Sequence, residues 1–189
     1  NKLARSVLTL YSYDPDPETM TLENELRLAM SLIARTPIIV AHGYAAKRCY
    51  IDGGSLYLHR AMPHKGTAEN FLAASRDDRK YSDEEAKLLD LCLVLHAEHG
   101  GGNNSTFSTR VISSSYTDIF SAIAAGVGAL KGPRHGGANI RCKEMVDVVA
   151  ENTKDWNDDD EIRSVLVRIL NKELGDGSGL IYGMGHAVY

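Results

Sequence analysis

The sequence has little of several features that would point directly to a function. Its three cysteines, Cys49, Cys92 and Cys142, lie far apart and form no C-x-x-C pair, so neither a disulfide framework nor a zinc ribbon is indicated. No basic run occurs and the net charge is −4, which gives no basis for nucleic-acid binding. No uninterrupted apolar stretch reaches membrane-spanning length, and the N-terminus has no signal pattern. We therefore expect a cytoplasmic protein with neither nucleic-acid nor membrane partners.

Several catalytic motifs are also absent from the sequence. No G-x-S-x-G elbow occurs, and no cysteine lies in the glycine-flanked segments of His99, His135 and His186, so a serine or cysteine nucleophile is not evident. The run from Gly183 to Gly185 lacks the third glycine and the strand–turn–helix context of a dinucleotide-binding loop. His96 and His99 have a spacing at which they could share a metal, but H-E-x-x-H is absent and no third ligand is obvious. We expect no metal site.

Helical periodicity is the dominant pattern that is present. Apolar residues at helical spacing predict an all-α chain, with helices starting near residues 21, 37, 68, 82, 105, 118, 136 and 158. Ser82 to Glu85 form a capping box. We expect Pro37 to end one helix and begin the next, and Cys92 to lie in the core. Residues 180–182 are predicted to be extended. The connector 151–160 is the first candidate for a hinge, and the start of the helix near 136 is the second.

Three histidines lie beside glycines in distant parts of the chain. His99 precedes Gly100–Gly102, His135 precedes a glycine pair, and His186 follows a Gly-Met-Gly sequence. Glycine lets a ligand approach the backbone closely, and histidine suits proton chemistry near neutral pH. These segments predict one polar pocket, in which His99 faces the ligand while His96 is structural. Residues 100–105 either offer N–H groups to an anion or form a plain loop with an Asn or Ser cap. Arg134 is a candidate ligand for a phosphate or carboxylate.

Across nearly the whole chain these segments resemble the citrate synthase family. The run from Leu95 through Phe107 resembles the family's LHADH–N-S-T-F segment, and residues 125–139, A-G-V-G-A-L-K-G-P-R-H-G-G-A-N, resemble its most diagnostic stretch. Residues 182–186 resemble its P-G-[FY]-G-H loop, and weaker agreement occurs at residues 6–15 and 68–72. Tyr182 replaces the usual proline, Arg134 stands where many members have leucine, and Gly100 replaces an acid.

The resemblance implies an all-α, multi-helical and incomplete citrate synthase-like fold. Residues 1–137 would belong to a large helical domain and 138–189 would begin a small one. The helices around 21–49 and 105–131 would form an antiparallel homodimer interface. The enzyme would be an acyltransferase of the tricarboxylic acid cycle that condenses acetyl-CoA with oxaloacetate, without a permanently bound cofactor.

The resemblance also implies roles for individual residues. His99 and Asn103 would bind oxaloacetate, His135 would hydrogen-bond the thioester oxygen, and His186 would bind and then protonate the oxaloacetate carbonyl. CoA would contact a set of loop residues: Arg134, Leu180, Ile181, Gly183, Met184 and Gly185. The family's catalytic aspartate and carboxylate-binding arginines match no residue here. Helical sequence begins at residue 1 without a cap, and the last residues stop within a motif. We therefore expect a fragment that is inactive alone.

Three alternatives remain open at this point. The same framework serves 2-methylcitrate synthase, which uses propionyl-CoA, and the citrate synthase-like module of a citrate-cleaving lyase. The chain could also be a non-catalytic helical dimerisation domain that keeps only the fold. In that last case the three histidines would be dispensable for any activity of the full-length protein.

Overall fold

The computed structural model describes residues 2–98 and 100–184, and every regular element in this part of the chain is an α-helix. The prediction of an all-α fold is therefore confirmed. The predicted site residues His99, Gly185 and His186 lie outside the described residues. Within the described ranges the helices are α1 (Lys2–Tyr11), α2 (Leu22–Tyr50), α3 (Thr67–Ser75), α4 (Asp83–His96), α5 (Asn104–Ser113), α6 (Ile119–Leu130), α7 (Gly137–Asn152) and α8 (Asp159–Leu170).

The chain divides after Ala129 into two compact units. The first unit contains α1 to α5 and almost all of α6, and the second contains α7 and α8. The connector 151–160 lies inside the second unit. The assignment of residues 1–137 and 138–189 to a large and a small domain stays a prediction.

The core of the first unit lies where α1, α2 and α6 meet. Among the described residues, Phe120, Leu28 and Val7 are the largest fully buried side chains. Tyr11 packs edge-on against Phe120, with ring centroids 6.3 Å apart and an interplanar angle of 85°. Each such buried side chain contributes roughly 2 kcal/mol through the hydrophobic effect. This cluster therefore supplies much of the stability of the first unit.

Pro37 does not interrupt α2, so the prediction of two helices was wrong. The helix runs for 29 residues with Pro37 inside it. Proline has no N–H, so the Ile33 carbonyl one turn earlier loses its helical hydrogen-bond donor. Helix α1 holds α2 on both sides of the proline, because it packs on Leu32 and its Lys2 Nζ donates to the Gly43 carbonyl at 3.0 Å. These tertiary contacts outweigh the local cost of the proline.

Among the helices in the described residues, α2 alone has the length and apolar composition needed to cross a membrane. One such helix is weak evidence for a span, because the core helices of globular proteins pass the same test. Here α2 packs against both α1 and α3. The absence of a membrane partner stays a prediction.

Helix α4 leaves most of its apolar side chains exposed, so the prediction that Cys92 lies in the core was wrong. Ala86 is the buried residue of this helix, whereas Leu88 and Leu95 are 64% and 67% exposed. Cys92 lies among them and is exposed as well. The apolar pattern of α4 is real, but in the described part of the chain little packs against it beyond α3.

The second unit is built on the contact between α7 and α8. Val149, Val165 and Ile169 are buried between the two helices. The side chain of Asp158 caps α8 by accepting hydrogen bonds from the backbone N–H groups of Asp160 and Glu161. Residues 171–179 after α8 form turns rather than a further helical turn, and residues 180–182 form no strand. Ile181 packs against the α7–α8 core from this segment.

Candidate functional site

A tight turn between α6 and α7 carries His135. The backbone N–H groups of His135 and Gly136 both donate to the Gly132 carbonyl, at 3.0 and 2.9 Å. A Cβ at Gly136 would collide with the carbonyl oxygen of Leu130. The turn therefore requires glycine at this position because the backbone folds back on itself. It leaves the His135 side chain half-buried and the Arg134 side chain exposed, immediately before the N-terminus of α7.

Asn103 is the N-cap of α5. Its side-chain oxygen accepts hydrogen bonds from the backbone N–H groups of Ser105 and Thr106, at 2.9 and 3.3 Å. Its own N–H donates to the Gly100 carbonyl at 2.9 Å, which closes the glycine-rich turn. The capped loop is therefore the arrangement adopted by residues 100–105. Because the side-chain oxygen is used inside the fold, a hydrogen bond from Asn103 to a substrate would come from its amide nitrogen.

The segment 180–184 is held on α7 through Tyr182. The Tyr182 N–H donates to Met145 Sδ at 3.2 Å, and the Cys142 thiol donates to the Tyr182 carbonyl at 3.7 Å. Gly183 follows with a φ of +90°, and a Cβ there would lie 3.3 Å from Cys142 Sγ. Leu180 and Met184 are 56% and 79% exposed. The segment is therefore anchored at Ile181 and Tyr182, with exposed residues on either side.

A cavity of about 220 Å³ lies between this segment and helices α7 and α8. Its wall includes Arg141, whose guanidinium lies 3.4 Å from Glu144 and 3.6 Å from Asp176. Hydrogen bonds from Ser178 and Tyr182 lower the pKa of Asp176 to about 2. The cavity is smaller than the roughly 300–1,000 Å³ typical of small-molecule sites. It would therefore take only part of a ligand.

The structure places Arg134, His135 and segment 180–184 in the same unit and next to the same helix, α7. The turn lies at the first residue of α7, and the anchor at Cys142 lies about 8 Å further along the helix axis. Asn103 belongs to the other unit. Sequence reasoning did not single out Asp176 or Met145. Only the three closely spaced glycines around Asp176 could have indicated a turn there, and all three have positive φ in the structure.

The histidine that was predicted to be structural is a surface residue. His96 is exposed, and its Nδ1 lies 2.7 Å from the Cys92 carbonyl, one turn earlier on α4. In the described ranges, no three His, Cys, Asp or Glu side chains are grouped closely enough to hold a metal ion.

The helical architecture is that of citrate synthases. The crystal structure of citrate synthase from Pyrobaculum aerophilum superimposes with a TM-score of 0.73 at 29% sequence identity, covering 99% of this chain and 44% of that chain. The class that the fold and the histidine-bearing loops define is therefore the all-α citrate synthase fold.

The family assignment follows from sequence comparison. The family described as "Citrate synthase, C-terminal domain" matches residues 1–189, and the chain belongs to the citrate synthase family. It is 35% identical to 2-methylcitrate synthase 1 of Corynebacterium glutamicum, which covers 99% of this chain and 45% of that protein. It is 34% and 36% identical to citrate synthase of Deinococcus radiodurans and citrate synthase 2 of Bacillus subtilis, over 99% of this chain and 44% and 45% of those proteins. The chain thus spans less than half the length of these relatives.

Proposed function

We propose that this chain forms part of an enzyme that condenses acetyl-CoA with oxaloacetate to give citrate and free CoA. Membership of the citrate synthase family supports the reaction class. The structural observation that carries the proposal is the turn at Gly132–Gly136, which holds His135 half-buried at the start of α7 and tolerates no side chain at Gly136. A turn with that constraint fixes the backbone that carries one imidazole, and a catalytic hydrogen-bond donor requires such a fixed support.

The chemistry assigned to His135 follows from the charge that develops in the reaction. Removing a proton from the methyl group of the thioester places negative charge on the thioester oxygen. A fixed N–H donor at that oxygen lowers the barrier to enolisation. The methyl carbon then forms a bond to the carbonyl carbon of oxaloacetate. Water finally cleaves the thioester, which releases CoA.

Two further histidines complete the proposed set of donors and lie outside the described residues. His186 would hydrogen-bond the oxaloacetate carbonyl, which makes its carbon more electrophilic, and would give it a proton as the new bond forms. His99 would bind oxaloacetate, with Asn103 beside it. The base that removes the methyl proton, and the arginines that bind the substrate carboxylates, are assigned to no residue of this chain.

Acyl-CoA would bind along segment 180–185 and beside Arg134. The segment has three exposed residues, Leu180, Gly183 and Met184. Its backbone at these positions is therefore accessible to a flat group such as adenine. Arg134 is exposed on the turn before α7, where its guanidinium suits a phosphate.

A second copy of the chain would cover the apolar stripe on α2. Leu22, Leu26, Met30 and Ile33 share one helix face and are all exposed. Contiguous exposed apolar residues indicate a protein interface. A homodimer through α2 and the helices within 105–131 is therefore the proposed assembly, and the cytoplasm is the proposed location.

The test measures the release of free thiol by the complete natural polypeptide supplied with acetyl-CoA and oxaloacetate. We expect turnover that falls at least about 100-fold in His135→Ala, because loss of one such donor typically costs 10²–10³ in rate. His96→Ala, which alters an exposed histidine on α4, is the matched control and should keep most of the activity. Undiminished turnover in His135→Ala would contradict the assignment and favour the non-catalytic alternative.

The 189-residue chain alone is proposed to be inactive. It spans less than half of its relatives, and it leaves the apolar faces of α2 and α4 exposed. Robust thiol release by the isolated chain would refute this proposal.

Propionyl-CoA is the alternative substrate, because the chain is about as similar to a 2-methylcitrate synthase as to the citrate synthases. Comparing kcat/KM for the two thioesters in the complete polypeptide distinguishes them. A pocket that gains or lacks one methylene changes the preference by roughly 10- to 200-fold.

A further inference from the structure

We propose that Tyr182 is a positioning residue that holds segment 180–184 on α7 in the conformation that receives the acyl-CoA. This inference rests on the proposed function, since it names the residue that orders one side of that binding site. Tyr182 would act through the segment rather than by touching the reacting atoms.

The first observation is that every polar group of Tyr182 contacts its own unit. Its N–H donates to Met145 Sδ, and its carbonyl accepts from the Cys142 thiol, both on α7. Its hydroxyl donates to the Asp176 carboxylate at 2.7 Å and lies 3.3 Å from Ser178 Oγ. Tyr182 therefore links the helix on one side to the turn at 175–178 on the other.

The second observation is that the Asp176 carboxylate, which accepts a hydrogen bond from the Tyr182 hydroxyl, also holds the turn at 175–178. Asp176 accepts the Ser178 N–H at 3.0 Å and faces Arg141 Nη1 of α7 at 3.6 Å. The low pKa of Asp176 keeps this acceptor ionised at neutral pH, and hydrogen bonds to a charged acceptor are stronger than neutral ones. Tyr182, Asp176 and Arg141 thus form a continuous polar bridge in the lining of the cavity.

The third observation is that the residues around the bridge need such a restraint. Gly175, Gly177, Gly179 and Gly183 all have positive φ, and glycine loses more conformational freedom on ordering than any other residue. If the free protein already holds these residues in place, a ligand does not bear the cost of ordering them when it binds. Loss of the bridge should therefore weaken acyl-CoA binding without altering the bond-making step.

The experiment compares Tyr182→Phe with the wild type in the complete natural polypeptide. Phenylalanine keeps the ring and both backbone contacts but removes the hydroxyl that reaches Asp176. We expect KM for acetyl-CoA to rise about fivefold, which corresponds to the loss of one partly exposed hydrogen bond, while kcat and KM for oxaloacetate stay unchanged. Asp176→Asn keeps an acceptor without the charge and should give a smaller rise in KM. Tyr13→Phe, at a tyrosine that is 77% exposed, is the control and should change nothing.

Hydrogen exchange provides a readout that does not depend on the reaction. In the free protein, amides in residues 176–184 should exchange faster in Tyr182→Phe than in the wild type, while amides in α2 should not. Unchanged exchange overturns the proposed bridge. Faster exchange with an unchanged KM for acetyl-CoA, or an equal loss in every kinetic constant together with a lower Tm, overturns its role in positioning. Absence of wild-type turnover with either thioester instead refutes the proposed function, and the exchange data then still report whether the bridge exists.

Discussion

Replacing Gly136 by alanine tests the most constrained position in the candidate site. The added Cβ would collide with the Leu130 carbonyl oxygen, and it would lie 3.1 Å from the Leu130 carbonyl carbon and 3.5 Å from Leu130 Cδ1. Overpacking of this kind typically costs about 1–3 kcal/mol. Because the atom that must move is a backbone carbonyl rather than the end of a side chain, we expect the upper end of that range, about 3 kcal/mol. For a chain of this size, Tm would fall by about 6–12 °C.

The adjacent Gly137 provides a matched control. A Cβ at Gly137 would meet only Pro133 Cβ, at 3.8 Å, which is an ordinary van der Waals contact. Gly137 is also the first residue of α7, where alanine is the better helix former by up to about 1 kcal/mol. Gly137→Ala should therefore leave stability unchanged or raise it slightly, whereas the same mutation at the neighbouring Gly136 lowers it.

Thermal and urea unfolding followed by circular dichroism would measure both effects, with thiol release assayed in parallel. We expect Gly136→Ala to lose activity at temperatures where it remains folded, because the shifted turn carries His135. If Gly136→Ala were as stable and as active as Gly137→Ala, the close approach of the turn to Leu130 would not constrain the site, and the argument that the turn fixes the backbone of His135 would fail.

Two further predictions concern stability. The pKa of Glu85 is lowered from its ordinary value of 4.5 to about 2, mainly by the Arg76 guanidinium. The contribution of this carboxylate to folding stability is therefore fully present above pH 4.5 and is lost as the pH falls toward 2. The urea midpoint of Glu85→Gln should accordingly decline less than that of the wild type between pH 6 and pH 3, and parallel declines would show that the pair does not contribute. Asn103→Ala should lower the free energy of unfolding by about 1 kcal/mol through loss of the α5 cap, whereas Asn103→Asp should keep it. Equal stability of these two variants would mean that the cap has no energetic role.

The helices were predictable because their signals are local. Ser82 and Glu85 form the capping box that their spacing predicted, with Glu85 N–H donating to Ser82 Oγ at 3.1 Å and Ser82 N–H donating to Glu85 Oε2 at 2.8 Å. Asp158 likewise caps α8. Such contacts lie within one helical turn, so residue type and spacing are sufficient to predict them.

Predictions that depended on packing were less successful. Pro37 is a helix breaker by local criteria, but α1 supports α2 on both sides of it. Cys92 has the neighbours of a core residue, yet it is exposed because α4 has few partners in the described part of the chain. Neither outcome depends on nearby sequence, because each is determined by which distant helix is present to pack.

The sequence by itself determined the all-α class and, through its three histidine-bearing segments, the family to which the chain belongs. Those properties depend on periodicity and on motifs a few residues long. Only the tertiary structure decided that Gly136 lies against the Leu130 carbonyl and that Tyr182 joins α7 to Asp176. The Tyr182 N–H and its partner Met145 are 37 residues apart, and no local pattern encodes a contact over that separation. It forms because the packing of α8 on α7 brings the segment after α8 back to the same helix.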